Sequence, residues 1–177
     1  MNAAVFVAGA GVISGIGNNL SECLNALESG KAGMDKISYL PTNHQGVLPA
    51  CEVKLSNAEL AALSGFSAST SRNVMLSLIA AKEAFDNSGI SNNDIPGLRT
   101  GFVSATTIGG MDKTENFFID FVKDHYKGRL RDLIYHECGN VTTTVAEKLG
   151  IKNHVSTIST ACSSSANAIM YGSRLIK

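Results

Sequence analysis

The sequence predicts an α/β fold on three observations. Short runs rich in β-branched residues, Ala4 to Ala8, Thr100 to Thr106 and Val155 to Ser159, alternate with longer runs of helical period. Helix-capping and turn residues punctuate these runs, with 17 glycines against only 3 prolines. Hydrophobic residues make up 44% and charged residues 17%, as in a layered protein or part of a larger body. A chain of 177 residues fits one domain, residues 1–177, and no repeat, low-complexity tract or linker divides it.

Charge excludes several functions. Lys plus Arg and Asp plus Glu both total 15 with no block of like charge, so nothing recruits nucleic acid or an anionic membrane. The cysteines Cys23, Cys51, Cys138 and Cys162 stand far apart without a Cys-x-x-Cys pair, which argues against zinc and gives no disulfide framework. A reducing cytoplasm is the expected location. The N-terminal run Met1 to Gly9 has no basic residue and turns into glycines at once, so it reads as a first strand rather than a signal peptide. No apolar run approaches the roughly 20 residues that span a bilayer.

Taken in order, the first strand, Ala4 to Ala8, ends in a glycine-rich turn, Gly9 to Gly17, followed by an Asn18 or Asn19 cap and an amphipathic helix from Leu20 to Leu27. Gly11-x-x-x-Gly15-x-Gly17 matches the looser glycine fingerprint of short-chain dehydrogenases. That reading needs a Tyr-x-x-x-Lys pair, and no tyrosine here has a lysine four residues later. The plain alternative is a turn that feeds the strand into the helix. Ser29 to Gly33 closes the helix, and Ile37 to Val53 is an irregular surface excursion. Ser56-Asn-Ala-Glu59 is a capping box opening a short helix to about Leu63.

Residues Ser71 to Phe85 form a helix apolar on most sides, which belongs in an interior. A polar loop from Ile90 to Arg99 precedes the strand Thr100 to Thr106, and Gly109-Gly110 after it lets a backbone come close to something else. A half-solvated helix from Met111 to Tyr126 ends near Gly128, Arg129 to Glu137 is ambiguous between helix and loop, and Val141 to Leu149 is helical.

The chemistry concentrates in the last stretch. Val155 to Ser159 reads as a strand, the apolar residues from Ala166 onward as a helix, and six small residues, Thr160 to Ser165, lie between. Cys162 sits in that junction. The partial positive charge of a helix N-terminus favours a thiolate, and small neighbours admit a substrate carbonyl, as at a nucleophile elbow. The structural alternative is packing, the commoner fate of a free cysteine. A cysteine nucleophile wants a histidine to handle its proton. Among His44, His125, His136 and His154, none has a placed partner; His154 is eight residues from Cys162, roughly 25 Å along a strand at about 3.3 Å per residue.

Several motifs in order resemble one family. These are Val5 to Gly17, the pair Gly30 and Gly33, Ser71-Arg72, Thr107-Ile108-Gly109-Gly110 and Thr160-Ala161-Cys162-Ser163-Ser164. Together they resemble the N-terminal half of the β-ketoacyl-[acyl-carrier-protein] synthases, closest to the type II elongating enzymes, over essentially the whole chain. The resemblance implies a thiolase-like layered fold, a homodimer or heterodimer, and no cofactor. It implies that Cys162 accepts an acyl group from acyl carrier protein as a thioester, that malonyl carrier protein supplies the carbanion of a Claisen condensation, and that Ile108 lines the acyl channel. The family's two catalytic histidines, its lysine and a glycine-rich turn belong to a second half that this sequence, ending at Lys177, does not include. The expectation is therefore an N-terminal half not competent alone. The other expectation to test is a non-catalytic assembly module paired with another synthase chain. Asn153-His154 replaces the family's usual Gly-Pro, and Ser165 stands where a glycine is frequent.

Overall fold

The computed structural model describes residues 4–91 and 93–177; positions 1–3 of the N-terminal run and position 92 of the polar loop lie outside them. The chain divides into two compact units.

One unit comprises residues 8–70 and 75–90. It holds helix α1 (Leu20–Glu28), a two-residue antiparallel ladder between β1 (Asp35–Lys36) and β2 (Pro49–Ala50), helix α2 (Asn57–Ser64) and all but the first turn of helix α3 (Arg72–Asn87). Both short helices begin as their caps dictate. The Asn19 side chain accepts from the Glu22 N–H at 2.8 Å, and Ser56 and Glu59 close a reciprocal capping box. Cys23, Ala26, Leu60, Met75 and Leu78 are buried, so the apolar stripe of α3 does reach an interior. The 37–53 excursion is mostly exposed, as its turn residues predict.

The glycine-rich turn has a structural explanation. A Cβ on Gly9 would lie 2.1 Å from the Ala84 carbonyl oxygen, and one on Gly11 2.1 Å from that of Ala80. The glycines let the chain lie directly on the backbone of α3. Glu83 of the same helix accepts hydrogen bonds from the Val12 N–H at 2.8 Å and the Leu20 N–H at 2.7 Å, holding the turn and the start of α1 together. The fingerprint that suggested a dinucleotide site is thus used for packing the chain on itself.

The other unit comprises, among the described residues, 4–7, 71–74, 91 and 93–177. Its centre is a parallel pair, β3 (Gly101–Ala105) with β4 (His154–Ile158), in the register Gly101 to His154 through Ala105 to Ile158. Helix α4 (Met111–Lys123), a 3-10 segment (Leu130–His136), helix α5 (Cys138–Lys148) and helix α6 (Ser164–Ile176) complete it. Side chains alternate across a strand. Thr157 meets Thr142 of α5 through hydroxyls 2.5 Å apart, and the His154 ring meets Tyr171 of α6 at 5.7 Å between centroids. Odd spacing between 154 and 157 places α5 and α6 on opposite faces of the pair, an α/β/α layering.

Three expectations are corrected. Residues 4–8 form no strand, with Phe6 84% and Val7 89% exposed. A short apolar run suits a strand covered on both faces, and among the described residues this one pairs with no neighbouring strand. Helix α4 stops at Lys123, where extended Asp124 ends it, rather than running to Tyr126. Helix α5 starts at Cys138, three residues before the apolar periodicity becomes visible. The ambiguous segment resolves as 3-10 turns over Leu130–His136.

Candidate active site

The site grows from the C-terminal end of β4. After Ile158 the chain passes through Ser159 and Thr160 and makes a single 3-10 turn, Ala161–Ser163, before α6 begins at Ser164. Cys162 is the middle residue of that turn, and its side chain is exposed. Ala161 has φ +52°, the one described non-glycine residue in the left-handed region. A side chain there costs about 1–2 kcal/mol relative to ordinary backbone. Strain of this kind is tolerated where surrounding contacts over-determine it.

Those contacts converge on residues 160 and 161. The Thr160 N–H donates to Ser164 Oγ at 2.8 Å, and Ser164 Oγ donates to the Ala161 carbonyl at 2.7 Å. Ser163 Oγ donates to the Thr160 carbonyl at 2.7 Å. Asn167 Nδ2 reaches Thr160 Oγ1 at 2.8 Å and Ser163 Oγ at 3.2 Å, and Thr107 Oγ1 donates to the Ala161 carbonyl at 3.3 Å. The last bond ties the turn after β3 to the turn after β4. It brings the two sequence-predicted site residues onto neighbouring segments, because Ile108 follows Thr107 and Cys162 follows Ala161. Ile108 is 61% exposed.

The turn carrying Ile108 is itself held closely. The Gly110 N–H donates to the Tyr135 carbonyl at 2.7 Å, and Asn73 Nδ2 donates to the Gly109 carbonyl. A Cβ on Gly109 would lie 2.6 Å from the His136 oxygen, and one on Gly110 2.6 Å from Tyr135 Cβ. What approaches the paired glycines is the chain's own 3-10 segment. Asp112, at the start of α4, accepts from Ser71 Oγ at 2.5 Å and the Arg72 N–H at 3.1 Å. This gives the Ser71-Arg72 motif a positioning role.

The four histidines are not gathered at Cys162. His44 lies in an exposed loop, His125 packs on Phe121 at 5.0 Å between centroids, and His136 Nδ1 is 3.3 Å from Thr114 Oγ1. His154 opens β4, so the strand separates it from the elbow. No group of three or more His, Cys, Asp or Glu among the described residues is arranged to hold a metal, and no described helix is long and apolar enough to cross a membrane.

Sequence reasoning named Ser164 and Thr107 within their motifs without giving either a role, and missed Asn167. A signal existed in the spacing of Ser163 and Asn167, four residues apart and therefore neighbours on a helical turn. The left-handed Ala161 gave no signal, since alanine is not a residue type that announces positive φ.

Comparison with known proteins settles the family. The Beta-ketoacyl synthase, N-terminal domain, matches residues 2–177. The chain belongs to the β-ketoacyl synthase family. Among curated proteins it is similar to 3-oxoacyl-[acyl-carrier-protein] synthase 2 of Coxiella burnetii (strain RSA 493 / Nine Mile phase I), 25% identical over 173 residues, which are 97% of this chain and 42% of that relative. Among solved structures it is similar to the ishigamide ketosynthase/chain length factor, with a TM-score of 0.78 and 24% identity over 94% of this chain and 44% of that one. A second similar structure is a type II polyketide synthase acyl-carrier protein in complex with its ketosynthase bound to the hexaketide, with a TM-score of 0.74 and 23% identity over 95% and 40%. The fold is thiolase-like, and the chain spans about two fifths of these synthases, 40–44% of their length.

Proposed function

We propose that this chain carries the acyl-accepting cysteine of a decarboxylating condensing enzyme in fatty-acid or polyketide-like synthesis. One observation carries the reading: in a chain matched to the Beta-ketoacyl synthase, N-terminal domain, over residues 2–177, Cys162 is exposed at the head of α6, directly after the left-handed Ala161.

The chemistry follows from that position. Cys162 Sγ attacks the carbonyl of an acyl thioester on acyl carrier protein; the carrier leaves as its thiol, and the acyl group stays on Cys162 as a new thioester. Malonyl carrier protein then loses carbon dioxide, and the resulting carbanion attacks the Cys162 thioester. A carbon–carbon bond forms and the Cys162 thiolate leaves. The Cys162 N–H, ahead of α6, is suited to stabilise the oxyanion formed at each attack. Ile108, on the turn tied to the elbow, lines the acyl chain's path. These steps are redox-neutral as written and call for no cofactor.

Among the described residues none of the four histidines is gathered at Cys162, and in this reading the groups for proton transfer and for the malonyl carboxylate come from the remainder of a synthase. This chain's partners are acyl carrier protein and a second synthase chain, in a homodimer or heterodimer in the cytoplasm. The similarity to the ishigamide ketosynthase/chain length factor favours pairing with an unlike chain. A non-catalytic assembly role is the competing reading, and the retained Cys162 speaks against it.

Intact-mass spectrometry after incubation with an acyl carrier protein thioester tests this. An adduct of one acyl mass that disappears in Cys162→Ala is expected. No adduct, even with the complementary half of a related synthase supplied, would assign the chain to assembly.

A further inference from the structure

We infer that Ser164 is the positioning residue of the elbow, holding Ala161 in its left-handed conformation and thereby fixing how Cys162 is presented. The inference concerns presentation of the thiol, and rests on the acyl-acceptor reading only for its consequence in catalysis.

Burial separates Ser164 from its surroundings. Thr160, Ala161, Cys162 and Ser163 are exposed, whereas Ser164 is 4% exposed. An exposed turn exchanges its hydrogen bonds with water at little net cost, but a buried hydroxyl keeps its partners. Ser164 Oγ uses both of its capacities on one stretch of backbone. It accepts from the Thr160 N–H at 2.8 Å and donates to the Ala161 carbonyl at 2.7 Å. These two groups bracket the backbone dihedrals of residues 160 and 161, so a single hydroxyl closes the loop around the strained residue. No other side chain in the elbow bonds both ends of that stretch: Ser163 and Asn167 reach only residue 160 and each other, and Thr107 reaches only the Ala161 carbonyl, at 3.3 Å.

In Ser164→Ala the Thr160 N–H loses its side-chain partner, and the Ala161 carbonyl loses its shortest side-chain bond, keeping the backbone N–H of residue 164 and the longer bond from Thr107. The remaining bonds hold each end of the stretch separately, so less offsets the preference of alanine for negative φ, and the turn loosens. In Ala161→Gly the left-handed conformation carries no side-chain penalty, so the same loss at Ser164 matters less. The two residues are therefore coupled, and a double-mutant cycle reads the coupling.

The measurement is the rate of alkylation of Cys162 by iodoacetamide, resolved by peptide mass spectrometry and divided by the rate at Cys51. Cys51 is also exposed and lies outside the elbow, so it serves as an internal reference. Ser164→Ala should lower the Cys162 to Cys51 ratio by about fivefold, the effect of losing a hydrogen bond of ordinary strength. In the Ala161→Gly background the same substitution should lower it by about twofold or less. Ser164→Thr, which keeps the hydroxyl, should restore most of the ratio. An unchanged or raised ratio in Ser164→Ala, or an equal loss in both backgrounds, overturns the inference. If Ser164→Ala does not fold, Ser164→Val read against Ser164→Thr takes its place, since the two side chains share a shape and only threonine keeps the hydroxyl: a lower ratio in the valine variant supports the inference, and equal ratios overturn it. Alkylation needs no carrier protein, so failure here leaves acyl acceptance standing, and failure of acyl transfer leaves the ratio unaffected.

Discussion

Two stretches of this chain look alike on paper: the glycine-rich residues 9–17 ahead of α1, and the small residues 160–165 ahead of α6. Each follows a run of strand-forming residues and opens a helix. They fold to opposite ends. In the first, the room made by missing side chains is taken up by the chain itself, with the carbonyls of Ala80 and Ala84 2.1 Å from where a Cβ would stand. In the second, a residue with a side chain is forced to positive φ, and a thiol is left exposed beside it. Small residues that are packed upon serve the fold, and small residues braced around an exposed thiol serve the chemistry proposed for it. Only the contacts distinguish them.

Substitution should separate the two regions by sign. Gly11→Ala places a methyl group against backbone that cannot move aside. We expect a loss of about 3 kcal/mol, the upper part of the usual range for overpacking, read as a lowered midpoint in urea unfolding. A loss under about 0.5 kcal/mol, the size of an ordinary surface substitution, would mean the turn is not packed on α3 as described.

Glu83 is the next largest effect. It accepts from two backbone N–H groups, at 2.8 and 2.7 Å, and Glu83→Ala should cost about 2–3 kcal/mol because bonds to a charged acceptor are the stronger kind. Glu83→Gln should cost less, since the amide retains one acceptor oxygen. Equal losses for the two variants would remove the carboxylate from the account.

At the elbow the sign reverses. Ala161→Gly should stabilise by about 0.5–1 kcal/mol, the left-handed penalty relieved less the extra chain entropy of glycine. Destabilisation would mean that Ala161 is not strained in solution.

The smallest effect is a pH dependence at the α2 cap. Hydrogen bonds from the Ser56 hydroxyl and N–H hold Glu59 below its ordinary carboxyl value. Its folded value is depressed, so its contribution to stability is fully present above the ordinary glutamate range and is lost as pH falls through the lowered value. A carboxyl titration by nuclear magnetic resonance should place the Glu59 midpoint below that of an unstructured glutamate, and a midpoint at or above it contradicts the capping box.

Much of this was legible in the sequence. The strands at 101–105 and 154–158, the two capped helices and the elbow position of Cys162 follow from periodicity, cap residues and small-residue spacing. Residues 4–8 misled because an apolar run states a preference for burial and says nothing of whether a partner strand is present. Helix α5 was read too short because Cys138, Gly139 and Asn140 carry no apolar period. The hydrogen bonds around Ala161 were invisible for a different reason: serine, threonine and asparagine suit turns, caps and exposed helix faces alike, and only geometry shows which one they make. The family itself was readable from the order of its motifs, and the match over residues 2–177 agrees with it.

In the proposed reaction Cys162, and not merely any exposed thiol, accepts the acyl group. Two cysteines are exposed, Cys51 beside the packed glycines and Cys162 in the braced elbow. Site-mapped mass spectrometry of the thioester formed from an acyl carrier protein donor, with the complementary half of a related synthase present, compares them in one sample. The account predicts acyl thioester on the Cys162 peptide and none on the Cys51 peptide; acylation of both alike, or of neither, would contradict it.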